Sequence, residues 1–411
     1  MLETIVLLIA LAGLVLYAVL AGADFGAGLW QLLSGPGAHG RAIRDHAHHA
    51  MAPVWEANHV WLIFVLTVAW TAFPLAFGSL ASTLSVPLSL AALGIIFRGL
   101  AYALQSATDV PRERRVIDLA FAVSSILTPF MLGAAIGAIA SGRVPVGNAA
   151  GDLVTSWVNP TSILTGGLAV AVGAFLAAVY LAADAARRGE QGLREAFRWR
   201  ALASGLITGG LAIAGLAVMH HDARHIYHGL TTGYGLAAVI VSASAGLGTL
   251  ALVWLSRFQP ARVTAALAVA AVVAGWAAAQ RPTVLPGLTL QQAAAGRDTL
   301  IAVLVSVVVG GLILAPSLAL LFRLVLIGGF DPDAQRLPGS PPPAVPARIR
   351  SAGRYARAAA ICLLAGFVLL TLLDNGTAHV FGVLALLSAA LLAFAAMAPD
   401  EGADPRTSPH S

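Results

Sequence analysis

The sequence predicts an all-α, polytopic transmembrane bundle of about nine spans followed by an extra C-terminal helical hairpin. Three observations carry that prediction. Hydrophobic residues make up 58% of the 411 positions and charged residues only 10%, against roughly a quarter charged in a soluble domain. Apolar runs of about twenty residues recur, the length that crosses a ~30 Å hydrocarbon core at ~1.5 Å per residue. Finally, the basic residues, all 24 of them arginine, gather in every second loop, as the positive-inside rule requires.

Eleven spans follow in order: 4–33, 52–77, 80–104, 116–140, 161–186, 201–219, 231–256, 262–279, 299–322, 355–373 and 378–397. Run length argues for helices, because a barrel strand needs only ~10 alternating residues. Span 1 opens with acidic Glu3 and lacks a basic leader, so it is expected to be a retained helix and not a cleaved signal peptide. It ends in "AGADFGAGLW", where Gly22, Gly26 and Gly28 allow close backbone approach around Asp24. Span 2 opens with "APVWEANHVWLIFVL"; Pro53 suits a first helical turn and Trp55 an interfacial belt. Span 3 carries Arg98 near its end. Loops after odd-numbered spans and the tail hold 19 arginines, the opposite side holds Arg143, Arg224, Arg281 and Arg297, and Arg98 lies within a span. That split places the N-terminus outside and the C-terminus in the cytoplasm.

The expected organisation is a membrane domain at 1–327, a Pro/Gly-rich cytoplasmic linker at 328–350, a transmembrane hairpin at 351–398 and a disordered tail at 399–411. Cys362 is the sole cysteine, which excludes an intrachain disulfide or a cysteine metal cluster. The high isoelectric point reflects short basic loops and not a nucleic-acid-binding face, so no nucleic acid is expected.

Asp24, Glu56 and Arg98 are the ionisable groups that need an explanation. Counting residues from the arginine-rich ends of their spans puts them roughly 13, 6 and 9 Å deep, in one layer. Each costs about 2.5–3.5 kcal/mol near a helix centre if it faces lipid, so protein or a wet cavity is expected around them. They fit a structural ion pair of Arg98 with Asp24 or Glu56. They equally fit a proton path in which the arginine secures one carboxylate and leaves the other free to titrate. Glu56 and His59 share a helix face, as do Asn58 and Trp61, and the Asn58 amide is suited to hydrogen-bond a neighbouring helix. "DHAHHA" (45–50) and "HHDARHIYH" (220–228) are expected as solvated loop histidines, because no carboxylate or cysteine partner completes a metal site by spacing.

Taken together, "GADFGAG" (22–28), "PVWEANHVWLI" (53–63), "FRG" (97–99), "NPTSILTGG" (159–167) and "PGLTLQQAAAGRDTL" (286–300) resemble subunit II of the cytochrome bd-type quinol oxidases over about residues 1–325. The resemblance implies a multi-pass subunit of a bacterial inner-membrane enzyme, haem-free itself, paired with a separate subunit I. That partner carries haems b and d and the quinol-oxidising loop, and the complex reduces oxygen to water electrogenically. It further implies Glu56 and Asp24 as proton-relay groups, Arg98 as their charge partner, and Trp61 near an oxygen-access tunnel, with Trp55 and Asn58 as structural neighbours. Small accessory subunits, lipid and quinone are further expected partners. Glu56 stands where the family often has aspartate. A carboxylate found in some members just after the span 3 arginine is replaced here by Tyr102, Ala103 and Leu104. The rival readings are a secondary transporter, since intramembrane carboxylates near an arginine also suit coupled transport, and a purely structural assembly subunit.

Overall fold

The computed structural model describes residues 1–105, 111–326 and 376–397, with isolated positions between 358 and 369. The side chains of 51–57, 102–105 and 111–116, and scattered ones after 314, lie outside that description. The chain divides into two compact units, Met1–Ile327 and Gly328–Ser411.

The first unit is helical almost throughout. Its long helices are α1 (Leu2–Leu32), α2 (Gly37–Ala72), α4 (Ser85–Gln105), α5 (Pro111–Ala140), α6 (Pro160–Arg187), α7 (Gln191–Asp222), α9 (Gly233–Trp254), α10 (Phe258–Gln280) and α12 (Arg297–Leu326). Each corresponds to one of the first nine predicted spans. Seven of the described helices are long and apolar enough to cross a membrane, and eight if the bent pair α2 and α3 (Pro74–Thr83) counts as one. The chain is an integral membrane protein. Short elements complete the unit: α8 (Arg224–Thr231), a hairpin of β1 (Thr283–Leu285) and β2 (Leu288–Thr289), and α11 (Leu290–Ala293). The capping box of Thr289 and Gln292 starts α11.

The helices run further than the hydropathy suggested. "GRAIRDH" and "FRWR", expected in loops, lie on the first turns of α2 and α7. Nothing in those segments breaks a helix, and alanine and arginine favour one. The chain actually turns at "SGPG" and at Gly189, where Gly35, Gly37 and Gly189 take φ near +76°, +89° and +72°, a region open mainly to glycine. The predicted boundary between spans 2 and 3 is also revised. Pro74 supplies no N–H to continue α2, so α2 stops at Ala72 and α3 leaves it at 119°. The arginine-poor end is closed over α3: Ser79 and Ser82 accept hydrogen bonds from the backbone N–H groups of Gly147 and Ala149, both at 2.9 Å. The Ala295 N–H donates to the terminal Ala72 carbonyl of α2.

The main core lies where α6 is enclosed by α1, α2, α7 and α10. It is built of small residues, with Ala23, Ala27, Ala177, Ala178, Ala182, Ala261 and Ala265 buried around Leu176, Leu181 and Phe197. In lipid, helices gain little from apolar burial, and close packing of small residues is what joins them. Gly26 of α1 is the tightest point: a Cβ there would fall 1.9 Å from the Gly173 carbonyl oxygen of α6. At the arginine-rich end Arg198 lies 5.7 and 5.4 Å from the Trp199 and Trp254 rings, and Arg200 lies 5.7 Å from Trp30. This mixed belt suits a membrane interface.

In the second unit α13 (Gly376–Met397) coincides with the last predicted span. Gly366 packs against Leu386 of that helix. Most of the predicted span at 355–373, the linker and the tail lie outside the described residues.

Candidate functional site

The glycine-rich end of α1 brings Asp24 to a junction with α2, α4 and α5. Asp24 and Arg98 are almost completely buried, at 2% and 1% exposure. The guanidinium grips the carboxylate from two sides: Nη2 donates to Oδ1 at 2.7 Å and Nε to Oδ2 at 3.1 Å. Nη2 also donates to the Asp24 backbone carbonyl at 2.8 Å, and Nη1 to Ser125 Oγ of α5 at 2.5 Å. Ser125 in turn donates to the Phe121 carbonyl. The Phe121 and Phe25 rings flank the guanidinium with centroids at 4.2 and 5.0 Å, adding cation–π attraction to a buried charge. Fork-to-carboxylate geometry of this kind gives strong charge-assisted hydrogen bonds.

The third member is Asn58 of α2, 1% exposed, whose amide donates to Asp24 Oδ2 at 3.2 Å. Its own Oδ1 is buried with no donor among the described residues. Asp24, Arg98 and Asn58 therefore occupy one layer, as the span counting suggested for the two charges. Glu56 lies in α2 two residues before Asn58, about 3 Å along the axis and about 200° around it. Its side chain and that of Trp55 lie outside the described residues. Trp61 is half-buried and packs edge-on to Phe64, beside the small cluster of Tyr17, Ala21 and Phe25.

The glycines divide their labour in a way that spacing alone did not reveal. Gly22 and Gly26 face α6. Gly28 instead makes room for the site, since a Cβ there would lie 2.1 Å from Ser125 Oγ and 2.8 Å from Arg98 Nη1. Gly94, one turn before Arg98, admits Thr128 of α5 in the same manner. Ser125, Phe121 and Phe25 were not anticipated, because a serine or phenylalanine in an apolar span carries no signal until a cation is placed beside it.

One histidine expected in a solvated loop is buried. His46, on the N-terminal half of α2, is 6% exposed. Its Nε2 lies 3.2 Å from the Leu181 carbonyl oxygen and its Nδ1 3.2 Å from Glu190 Oε2. Phe197 packs against its ring. The reason is that α2 continues past the membrane and docks on α6 and α7. The outer histidines likewise lie on helices: His220 and His221 close α7, and His225 and His228 lie on α8. No group of three or more metal-ligating side chains occurs among the described residues.

The comparisons with known proteins agree with this architecture. The family model described as cytochrome bd terminal oxidase subunit II matches residues 2–325. The chain belongs to that family. A Bacillus subtilis protein assigned as a cytochrome bd menaquinol oxidase subunit II is 25% identical over 236 residues, which are 56% of this chain and 67% of the relative. Cytochrome bd-I ubiquinol oxidase subunit 2 of Escherichia coli K12 is 27% identical over 126 residues, 31% of this chain and 32% of the relative. Among solved structures, a chain of the bd oxidase from Geobacillus thermodenitrificans superposes with a TM-score of 0.60 at 25% identity, covering 79% of this chain and 99% of that one. The matched region of the family model ends one residue before the end of α12, so the second unit lies beyond it.

Proposed function

We propose that this chain is the haem-free subunit II of a bd-type terminal quinol oxidase in a bacterial inner membrane, oriented with its N-terminus outside. It pairs with a haem-carrying subunit I, and a route along its arginine-rich, cytoplasmic side delivers protons for the reduction of oxygen to water. The haems of the partner supply the electron transfer and oxygen chemistry. This chain's own part is to hold charge and to move protons.

The observation that supports the reading is the buried junction of Asp24, Arg98 and Asn58 placed within the motif that carries Glu56. A carboxylate gripped at both oxygens by a guanidinium is held as a fixed countercharge, and opening that grip is costly where both groups are buried. Asp24 therefore serves the route as a fixed negative charge beside it. Glu56, in the same layer on α2, is the group that takes up and releases the proton. The same grip also favours a second reading, in which Asp24, Arg98 and Asn58 only fasten α1, α2, α4 and α5 together.

Turnover of Glu56→Ala in the assembled oxidase separates the two. Oxygen consumption with quinol is expected to fall at least about tenfold while the visible haem spectrum stays at wild-type intensity. Full turnover with an intact spectrum overturns the relay and leaves the fastening role.

A further inference from the structure

A second charged cluster lies at the arginine-rich end, where α6 meets α10, and the proposed proton route does not use it. Asp184, near the end of α6, is its centre. Arg187 Nη2 donates to its Oδ1 at 2.6 Å, and Arg188 Nε stands 2.9 Å from Oδ2. His46 Nε2 also stands 3.8 Å from Oδ2, which accepts no hydrogen bond among the described residues.

Arg262, in the second turn of α10, brings a third guanidinium to this face of α6, where Tyr180 lies one turn before Asp184. Among the described residues it makes no hydrogen bond and no ion pair. Its guanidinium lies 4.7 Å from the Tyr180 ring centroid instead. Arg262 is half-buried, so its charge is partly withdrawn from water. Arg187 and Arg188 crowd Asp184, and the nearby Glu190 carboxylate pairs with His46, so the Arg262 guanidinium keeps no carboxylate partner among the described residues.

The position says what kind of anion suits this guanidinium. Arg262 lies within an apolar, membrane-length helix, at the end that bears the tryptophan and arginine belt. The next residue, Val263, is 70% exposed and offers an apolar surface for an acyl chain. Arg187 and Arg188, with side chains 44% and 50% exposed, keep further N–H donors for phosphate oxygens. We propose that Arg262, Arg187 and Arg188 form a site for the phosphate of an anionic phospholipid. Basic recesses between membrane helices recognise such headgroups by this chemistry, and the proposal is independent of the proton route.

The test is thermal unfolding of the purified oxidase complex in delipidating detergent. Dioleoyl phosphatidylglycerol, dioleoyl phosphatidylcholine or inorganic phosphate is added in turn. Phosphatidylglycerol is expected to raise the Tm most. Arg262→Gln is expected to bind it about fivefold more weakly, and Arg224→Gln, at the opposite end, as wild type. Native mass spectrometry should find one fewer phosphatidylglycerol retained by Arg262→Gln. If that variant fails to assemble, Arg187→Gln is read in the same assays with the same expectation. The proposal is overturned by equal shifts with the two lipids, by phosphate alone reproducing the shift, or by an undiminished response of the arginine variants.

Discussion

Breaking the Asp24–Arg98 pair from one side is expected to cost far more than removing both partners. In Asp24→Leu the guanidinium loses its two carboxylate bonds, of 2.7 and 3.1 Å, while remaining 1% exposed. In Arg98→Met the carboxylate keeps only the Asn58 amide among its described side-chain donors. Each single substitution leaves a charge buried without its partner, for which about 3–5 kcal/mol is typical. The double variant leaves no buried charge. Its remaining cost is the Asn58 amide without its acceptor and imperfect packing between Phe25 and Phe121, together about 1–3 kcal/mol. The singles therefore sum to ~6–10 kcal/mol, and the coupling measured by the cycle is expected to exceed ~3 kcal/mol. Denaturant unfolding of the complex in detergent gives the four free energies, and the haem spectrum reports assembly at each corner. Additive effects, or single costs below ~1 kcal/mol, would refute the assignment of this pair as the charged fastening of α1 to α4.

Three further outcomes follow from local geometry. Gly26→Ala forces a methyl to within 1.9 Å of the Gly173 carbonyl oxygen. Since this meets backbone and not a flexible side chain, loss of stability beyond the usual ~1–3 kcal/mol of overpacking is expected in the same unfolding assay. His46→Ala removes the ring between Leu181 and Glu190, and faster amide exchange is expected in the N-terminal half of α2, with the Glu56 segment exchanging less changed. In the α5–α6 loop the backbone N–H groups of Thr155 and Val154 hold the Asp152 carboxyl below the usual carboxylate range. Its contribution to that turn is present above the ordinary aspartate value and disappears as the pH falls through the depressed one. Exchange at Val154 and Thr155, corrected for its intrinsic pH dependence, should accordingly rise as the pH falls below the ordinary aspartate value, and Asp152→Ala should abolish the step.

How much was legible beforehand differs between fold and site for physical reasons. Hydropathy marks where lipid begins and ends, so each of the nine family spans falls on a helix. It says nothing of helices that continue into water, which is why the arginine-bearing turns of α2 and α7 and the docking of His46 were missed. Span 2 was read straight through Pro74, because the apolar run does not stop there, and the 119° departure of α3 is held by bonds from the α5–α6 loop. At the site, the cost of a buried charge singled out Asp24 and Arg98 and required a partner for each. It could not choose between Asp24 and Glu56 as the arginine's partner, because residue counting gives depth and not rotation.

The amino-acid sequence by itself determined that this is a helical membrane protein, roughly where its first nine apolar helices lie, which charges must be shielded and which family it joins. All of these follow from the transfer free energy of side chains and from motif spacing, both properties of the chain taken one segment at a time. Only the tertiary structure decided that Arg98 closes on Asp24 and Ser125, that Gly28 makes room for it while Gly26 meets α6, and that Arg262 stands on the Tyr180 ring. Those facts depend on the azimuth of each helix about its axis. Packing between helices sets that angle, and no segment encodes it alone.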